Sequence, residues 1–244
     1  MSPVKLVSSS SKKTPVVGDI LYATSDGKLT LDAKTNSVDN TAIAICVIPE
    51  VTENFKNGDD SAGAVKTARF VSVDYMSYET PTTGRIGAHL MMFGNYNVTI
   101  GNVKGGMEGP SYIGGKWNTQ KCLHACTKEK NDLTNGVTNS GGTGYCAPAC
   151  CCVAYSTRGT KPGDWYLPMQ GELFRIYTNK TAINAKRKAM KRTALSENSY
   201  WSSREGSGDS GGYETSINLI NGYVENNDRR HDCCVLAFLA LEVE

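Results

Sequence analysis

The ordered part of the chain opens on alternation. Gly18-Asp19-Ile20-Leu21-Tyr22 and Ser25-Asp26-Gly27-Lys28-Leu29-Thr30 are two apolar runs separated by an Asp-Gly pair, which predicts a β-hairpin. Residues 41–48, TAIAICVI, read as a buried strand closed by Pro49, and residues 70–75 as a further alternating strand. Residues 50–64 are rich in Asn, Gly and Asp and residues 79–116 carry many glycines with little periodicity, so both stretches read as loop. Residues 1–16 are Ser- and Lys-rich, contain two prolines and hold too few apolar positions to fold alone, which predicts a flexible arm.

A helical period takes over in the middle. Asn118 is placed to cap a helix running to Lys128, a second helix is expected from Cys146 to Tyr155, and a Gly/Asn/Thr loop at 131–144 separates them. Pro168 stops a strand and opens a helix at Gln170 or Gly171, with Leu173, Ile176 and Tyr177 on one face. Thr181 is placed to cap another, in which Ile183, Arg187 and Met190 share a stripe with Ala182 and Ala189. β-pattern then returns at 199–203, at 213–219, across an Asn221-Gly222 turn into 223–225, and in the apolar run 234–241. A β-rich beginning, central helices and a C-terminal antiparallel sheet predict the α+β class rather than a βαβ repeat.

Composition narrows the function classes. With 39% hydrophobic and 20% charged residues the chain can bury a core. A net charge of +2, from 26 basic against 24 acidic residues, gives no field suited to nucleic acid, so no nucleic-acid partner is expected. No apolar run approaches the roughly 18 residues that span a bilayer, and the first residues show no apolar stretch of a secretory leader. The expectation is synthesis in the cytoplasm without membrane insertion.

Nine cysteines stand out. Cys122, His124 and Cys126, with Cys146 and Cys150, fall within zinc-ligand spacing and form a weak alternative metal site. The same i, i+4 spacing marks one helix face among alanines, where cysteine packs as a small hydrophobe, and that reading is preferred, so no metal or cofactor is expected. Cys233 and Cys234, adjacent on a strand, would point to opposite faces. His89, His124 and His231 form no triad pattern, and the glycines at 101–109 lack the lysine and strand-to-helix setting of a phosphate loop, so no catalytic residue is assigned. The basic run at 186–192 reads as a solvated helix face, with a site for an acidic partner as the alternative.

Gly163-Asp164-Trp165-Tyr166-Leu167-Pro168 with Gly171-Glu172-Leu173, followed by Tyr200-Trp201-Ser202-Ser203, by Asn221-Gly222-Tyr223 and by a closing apolar strand, resembles the Lcl-type C-type-lectin-like family of Bacteroidetes and their phages. The match covers roughly residues 117–244, and the hairpin at 17–27 resembles the one that precedes the domain in such proteins. The resemblance implies a flexible arm (1–16), a β-rich attachment or oligomerisation portion (17–116) and a C-type-lectin-like display domain (117–244). Trp165, Tyr166, Pro168, Leu173 and Trp201 are then scaffold, because large aromatic surfaces with an indole N–H to satisfy belong in a core.

Ligand contacts fall instead to the loops between late strands. The candidates are Arg204, Glu205 and Tyr213 around the 204–213 loop, and Tyr223, Asn226, Asn227, Arg229, Arg230 and His231 in the following hairpin. Tyr, Asn, Ser and Arg make up adaptable binding surfaces, although any exposed connection has a similar composition. The resemblance and the absent leader together imply a virion surface structural protein, a head fibre or capsid decoration of a tailed phage, made in the host cytoplasm. Its implied partners are capsid or other virion proteins, further copies of itself with a trimer favoured, and a host-surface or environmental glycan or protein. A bacterial surface adhesin or pilus-tip protein is the alternative. A cysteine- or metal-dependent enzyme ranks lower, kept because a relative of the fold oxidises substrate cysteines with copper held by cysteines. The calcium-lectin tripeptides Glu-Pro-Asn and Trp-Asn-Asp are absent.

Overall fold

Among the described residues, the strand-forming runs assemble into two sheets, and four helices pack with them. The structure is a computed structural model and describes residues 4–5, 14–31, 41–53, 65–76, 90–92, 114–128, 146–206 and 212–243. The strands are β1 (Val4–Lys5), β2 (Ile20–Ala23), β3 (Leu29–Thr30), β4 (Thr41–Glu53), β5 (Val65–Tyr75), β6 (Leu90–Met92), β7 (Trp165–Tyr166), β8 (Ser199–Glu205), β9 (Tyr213–Asn218), β10 (Val224–Asp228), β11 (Asp232–Cys234) and β12 (Leu236–Glu242). The helices are α1 (Gly115–Lys128), α2 (Ala147–Ala154), α3 (Gln170–Thr178) and α4 (Lys180–Ala189). This is a mixed α+β architecture, as the sequence pattern predicts.

The larger sheet has the order β1-β12-β5-β4-β2-β3, with β7 also paired to β12. Strands from the 17–116 and 117–244 stretches therefore share one sheet, and Val4–Lys5, within the 1–16 stretch, pairs in parallel with Leu241 and Glu242. Both faces of this sheet are covered, so its strands read as near-continuous apolar runs. Successive residues go to opposite sides: Phe70, Leu239 and Trp165 enter one cluster with the α2 cysteines and Trp201, while Val71, Phe238 and Tyr166 enter another with Leu173, Ile176 and Ile183. The smaller sheet, β10-β9-β8-β11-β6, lays Tyr200 and Ile217 against the second cluster.

Local chemistry accounts for most of the boundaries. The first hairpin closes where Gly27, at φ +79°, donates its N–H to the Thr24 carbonyl at 3.0 Å. At the start of α3 the Glu172 carboxylate accepts the Met169 N–H at 2.7 Å, reaching back from the third helical position to the cap. Gly115 packs so closely there that a Cβ would lie 2.7 Å from the Met169 nitrogen and 2.9 Å from the Leu167 carbonyl. Thr119 locks the contact, donating to the Leu167 carbonyl at 3.0 Å and accepting the Leu167 N–H at 3.0 Å.

Several expectations are corrected. Pro49 does not end its strand: β4 runs on to Glu53, because the β5 ladder skips from Ile48 to Val51 and the β2 ladder reaches only Ile45, so no bond is asked of the missing N–H. Asn118 is not a cap, since α1 begins at Gly115 and the Asn118 N–H already bonds the Gly114 carbonyl. Thr181 lies inside α4, whose cap is Asn179, the residue that also ends α3, and Ala182 and Ala189 are exposed rather than part of the buried stripe. The apolar run 234–241 is two strands in two sheets: β11 lies parallel to β8 in the smaller sheet and β12 belongs to the larger one. In the basic run, Arg187 is buried beneath the Tyr75 ring at 5.2 Å and donates to the Val73 and Thr193 carbonyls. The expected loops at 54–64, 79–89, 93–113 and 131–144 lie outside the described residues, and 90–92 forms a strand.

Candidate functional site

The signature residues lie in the core. Trp165, Tyr166, Leu173 and Trp201 are fully buried, and Pro168 is buried between β7 and α3. The Trp165 indole N–H donates to Thr160 Oγ1 at 2.9 Å, and the ring meets Tyr155 edge-on at 5.0 Å. Tyr166 donates its hydroxyl to Glu172 Oε1 at 2.6 Å, where Arg69 Nε also lies at 3.2 Å. Burial pushes the Glu172 carboxyl above the usual carboxylate range, against the pull of Arg69 and the surrounding donors. The neighbouring Lys116 ammonium is pushed down to about 8 by burial and then by Arg69. The Arg69–Glu172 pair thus joins β5 to the start of α3 inside the scaffold.

The eight described cysteines whose side chains are placed are all buried. Cys150, Cys151 and Cys152 lie in α2 behind Cys146, the residue before its first turn, and join Cys122 and Cys46 in one apolar cluster. Burial pushes Cys46, Cys151 and Cys233 up to about 12 and Cys234 to about 11, so these are core thiols rather than thiolates. Cys233 and Cys234 enter opposite clusters, as alternation on a strand requires. Among the described residues no group of His, Cys, Asp and Glu has the arrangement of a metal site. His124 and Cys126 lie in α1, with side chains outside the described set.

The loop candidates divide by burial. Arg204, Glu205 and Arg229 are only 4%, 8% and 2% exposed. Arg229 Nη2 lies 3.1 Å from Glu205 and 3.1 Å from Glu214, two carboxylates facing each other across β8 and β9. Burial, more than Glu205, pushes Glu214 up to about 8 despite Arg229. Arg204 donates to Gln170 Oε1 at 2.9 Å, which ties β8 to the start of α3. These three side chains are internal to the sheet.

The other candidates face outward to differing degrees. Tyr223 is 70% exposed, Asn226, Arg230 and His231 are exposed, and Tyr213 and Asn227 are half-buried. Residues 207–211 of the expected 204–213 loop lie outside the described residues. The β9–β10 connection is built by Asn218, whose Oδ1 accepts the Ile220 N–H at 2.8 Å, and by Gly222 at φ +78°, whose N–H donates to the Asn218 carbonyl at 2.8 Å.

One constellation was not singled out by sequence reasoning. Glu225 on β10 lies opposite Ser216 on β9, which neighbours Trp201 on β8. Its Oε1 accepts Asn218 Nδ2 at 2.8 Å, and its Oε2 accepts Ser199 Oγ, with Ser216 Oγ and Asn227 Nδ2 each at 3.4 Å. Burial raises its carboxyl, but these donors outweigh it and hold the group below the usual range, as a carboxylate. The one signal in the sequence was period two, Tyr223, Glu225, Asn227, which needs the β9 register to become a site.

No known protein family model matches the chain. No curated protein matches it either.

Proposed function

We propose that this chain is a virion surface structural protein, a head fibre or capsid decoration of a tailed phage, that presents a C-type-lectin-like display domain to host-surface or environmental glycans or proteins. The observation that carries the display reading is the division of labour around the smaller sheet. The signature aromatics Trp165, Tyr166 and Trp201 are spent wholly on the core, while the next hairpin offers Tyr223, Asn226, Arg230 and His231 to solvent. A rigid platform with an adaptable polar and aromatic edge is what a binding module requires.

The virion setting rests on the resemblance of the signature segments. It is compatible with described helices none of which is long and apolar enough to cross a membrane. The cysteine-enzyme alternative is disfavoured by chemistry, because Cys46, Cys151 and Cys233 are buried and pushed to about 12, the reverse of an activated nucleophile. Attachment to capsid proteins and self-association as a trimer belong to the same proposal. Quantitative mass spectrometry of gradient-purified particles tests it: the chain is expected in a fixed ratio to the major capsid protein. Recovery only from infected-cell cytosol refutes the virion reading.

A further inference from the structure

We propose that Asn221, at the tip of the β9–β10 hairpin, is a site of spontaneous deamidation whose rate is set by opening of that turn. The inference goes beyond the display reading and does not depend on it, since only the chemistry of the turn is used.

The turn supplies both reacting groups. Asn221 is exposed and is followed by Gly222, the residue type whose missing side chain leaves its backbone nitrogen least shielded. Gly222 sits at φ +78°, and Asn221 Oδ1 accepts the Tyr223 N–H at 2.9 Å, which folds the carboxamide back over the chain that follows it. In the reaction the Gly222 nitrogen loses its proton and attacks Asn221 Cγ. An N–Cγ bond forms, the Cγ–Nδ2 bond breaks, and ammonia leaves with the proton, closing a cyclic imide. Water then opens the imide at either carbonyl, giving aspartate or, where the main chain now runs through the former side chain, isoaspartate. The only reactant taken up is water and the only group released is ammonia.

The same turn withholds the reaction while it is closed. The Gly222 N–H donates to the Asn218 carbonyl at 2.8 Å, so the attacking nitrogen keeps its proton, and Asn218 Oδ1 accepts the Ile220 N–H at 2.8 Å. Gly222 is buried beneath Tyr177 of α3, where a Cβ would lie 2.5 Å from ring atom Cε1. Lys180 of α4 donates its ammonium to the Leu219 carbonyl at 2.7 Å. The two helices thus clamp the hairpin from one side. Ring closure requires these contacts to open, and a turn on the edge hairpin of a sheet opens more often than the whole molecule unfolds. The product changes the tip: aspartate keeps an acceptor for the Tyr223 N–H and adds a negative charge, whereas isoaspartate lengthens the main chain and loses that acceptor.

The test is incubation of the intact chain at neutral and mildly alkaline pH, with and without guanidinium. Peptide mapping of the tryptic segment 205–229, with fragmentation, places the converted residue and separates aspartate from isoaspartate. Conversion is expected at Asn221 ahead of Asn218, Asn226 and Asn227, rising with pH, and about tenfold or more slower in the native than in the denatured chain. Tyr177→Ala and Lys180→Met, which release the clamp, are expected to speed native conversion several-fold, and Asn221→Ser to abolish it at that position. If Tyr177→Ala fails to fold by circular dichroism, Lys180→Met decides. The proposal is overturned if Asn226 or Asn227 converts first, if native and denatured chains convert equally fast, or if Lys180→Met converts no faster than the parent. It is overturned equally if native Asn221 stays intact over about a hundred half-times of the denatured chain.

Discussion

Removing the charge of Glu172 is expected to cost about 3–5 kcal/mol, the usual loss when one partner of a buried ion pair is deleted. Arg69 and Glu172 are both fully buried, with Arg69 Nε 3.2 Å from the carboxylate. Glu172→Gln keeps the volume and one acceptor oxygen, so Tyr166 and Met169 compete for it while Arg69 loses its counter-charge. Against a total stability of about 5–15 kcal/mol this is a large fraction, and it lowers the melting temperature by roughly 6–20 °C in a chain of this size. Arg69→Met alone strands the carboxylate instead and costs a comparable amount. The double variant Arg69→Met with Glu172→Gln leaves no buried charge at the site and is expected to be more stable than either single one. Urea unfolding followed by fluorescence of the buried Trp165 and Trp201 measures all four corners of this cycle. Additive losses, or a Glu172→Gln cost below about 1 kcal/mol, would show that the pair is not coupled as its geometry implies.

Two further outcomes are expected. Glu214, raised from 4.5 to about 8, binds its proton more tightly folded than unfolded, so its contribution is fully present below the unfolded value and is lost as pH rises from about 4.5 to 8; Glu214→Gln should flatten the fall in urea midpoint over that window, and an unchanged slope would contradict the assignment. Cys46, Cys151, Cys152 and Cys233 should resist alkylation in the native protein and react fully in denaturant, as peptide mapping by mass spectrometry will report; rapid native labelling of Cys152 would mean that the α2 core opens.

Local signals in the sequence carried local structure well. Asp26-Gly27 specified the first hairpin, the apolar stripe of α3 was readable from Leu173, Ile176 and Tyr177, and the adjacent Cys233 and Cys234 split between faces as a strand demands. What escaped depended on partners distant in sequence. Whether Pro49 ends a strand is decided by which ladder bonds its neighbours make, and whether Arg204, Glu205 and Arg229 face solvent is decided by Gln170 and Glu214, which composition cannot place beside them. The Glu225 constellation was hidden for the same reason: four of its five polar groups look like ordinary surface residues until the β8, β9 and β10 registers align them.

The position of β12 carries a consequence for how the molecule is made. Leu236–Glu242 lies between β5 on one side and β1 and β7 on the other, so the larger sheet is held together by a strand synthesised some 160 residues after β5. While the ribosome is still extending the chain, β5 waits with one edge unpaired, open to the wrong strand of a neighbouring nascent copy. Pairing with β12 ends this exposure, and slow passage through codons near 236–242 would lengthen it.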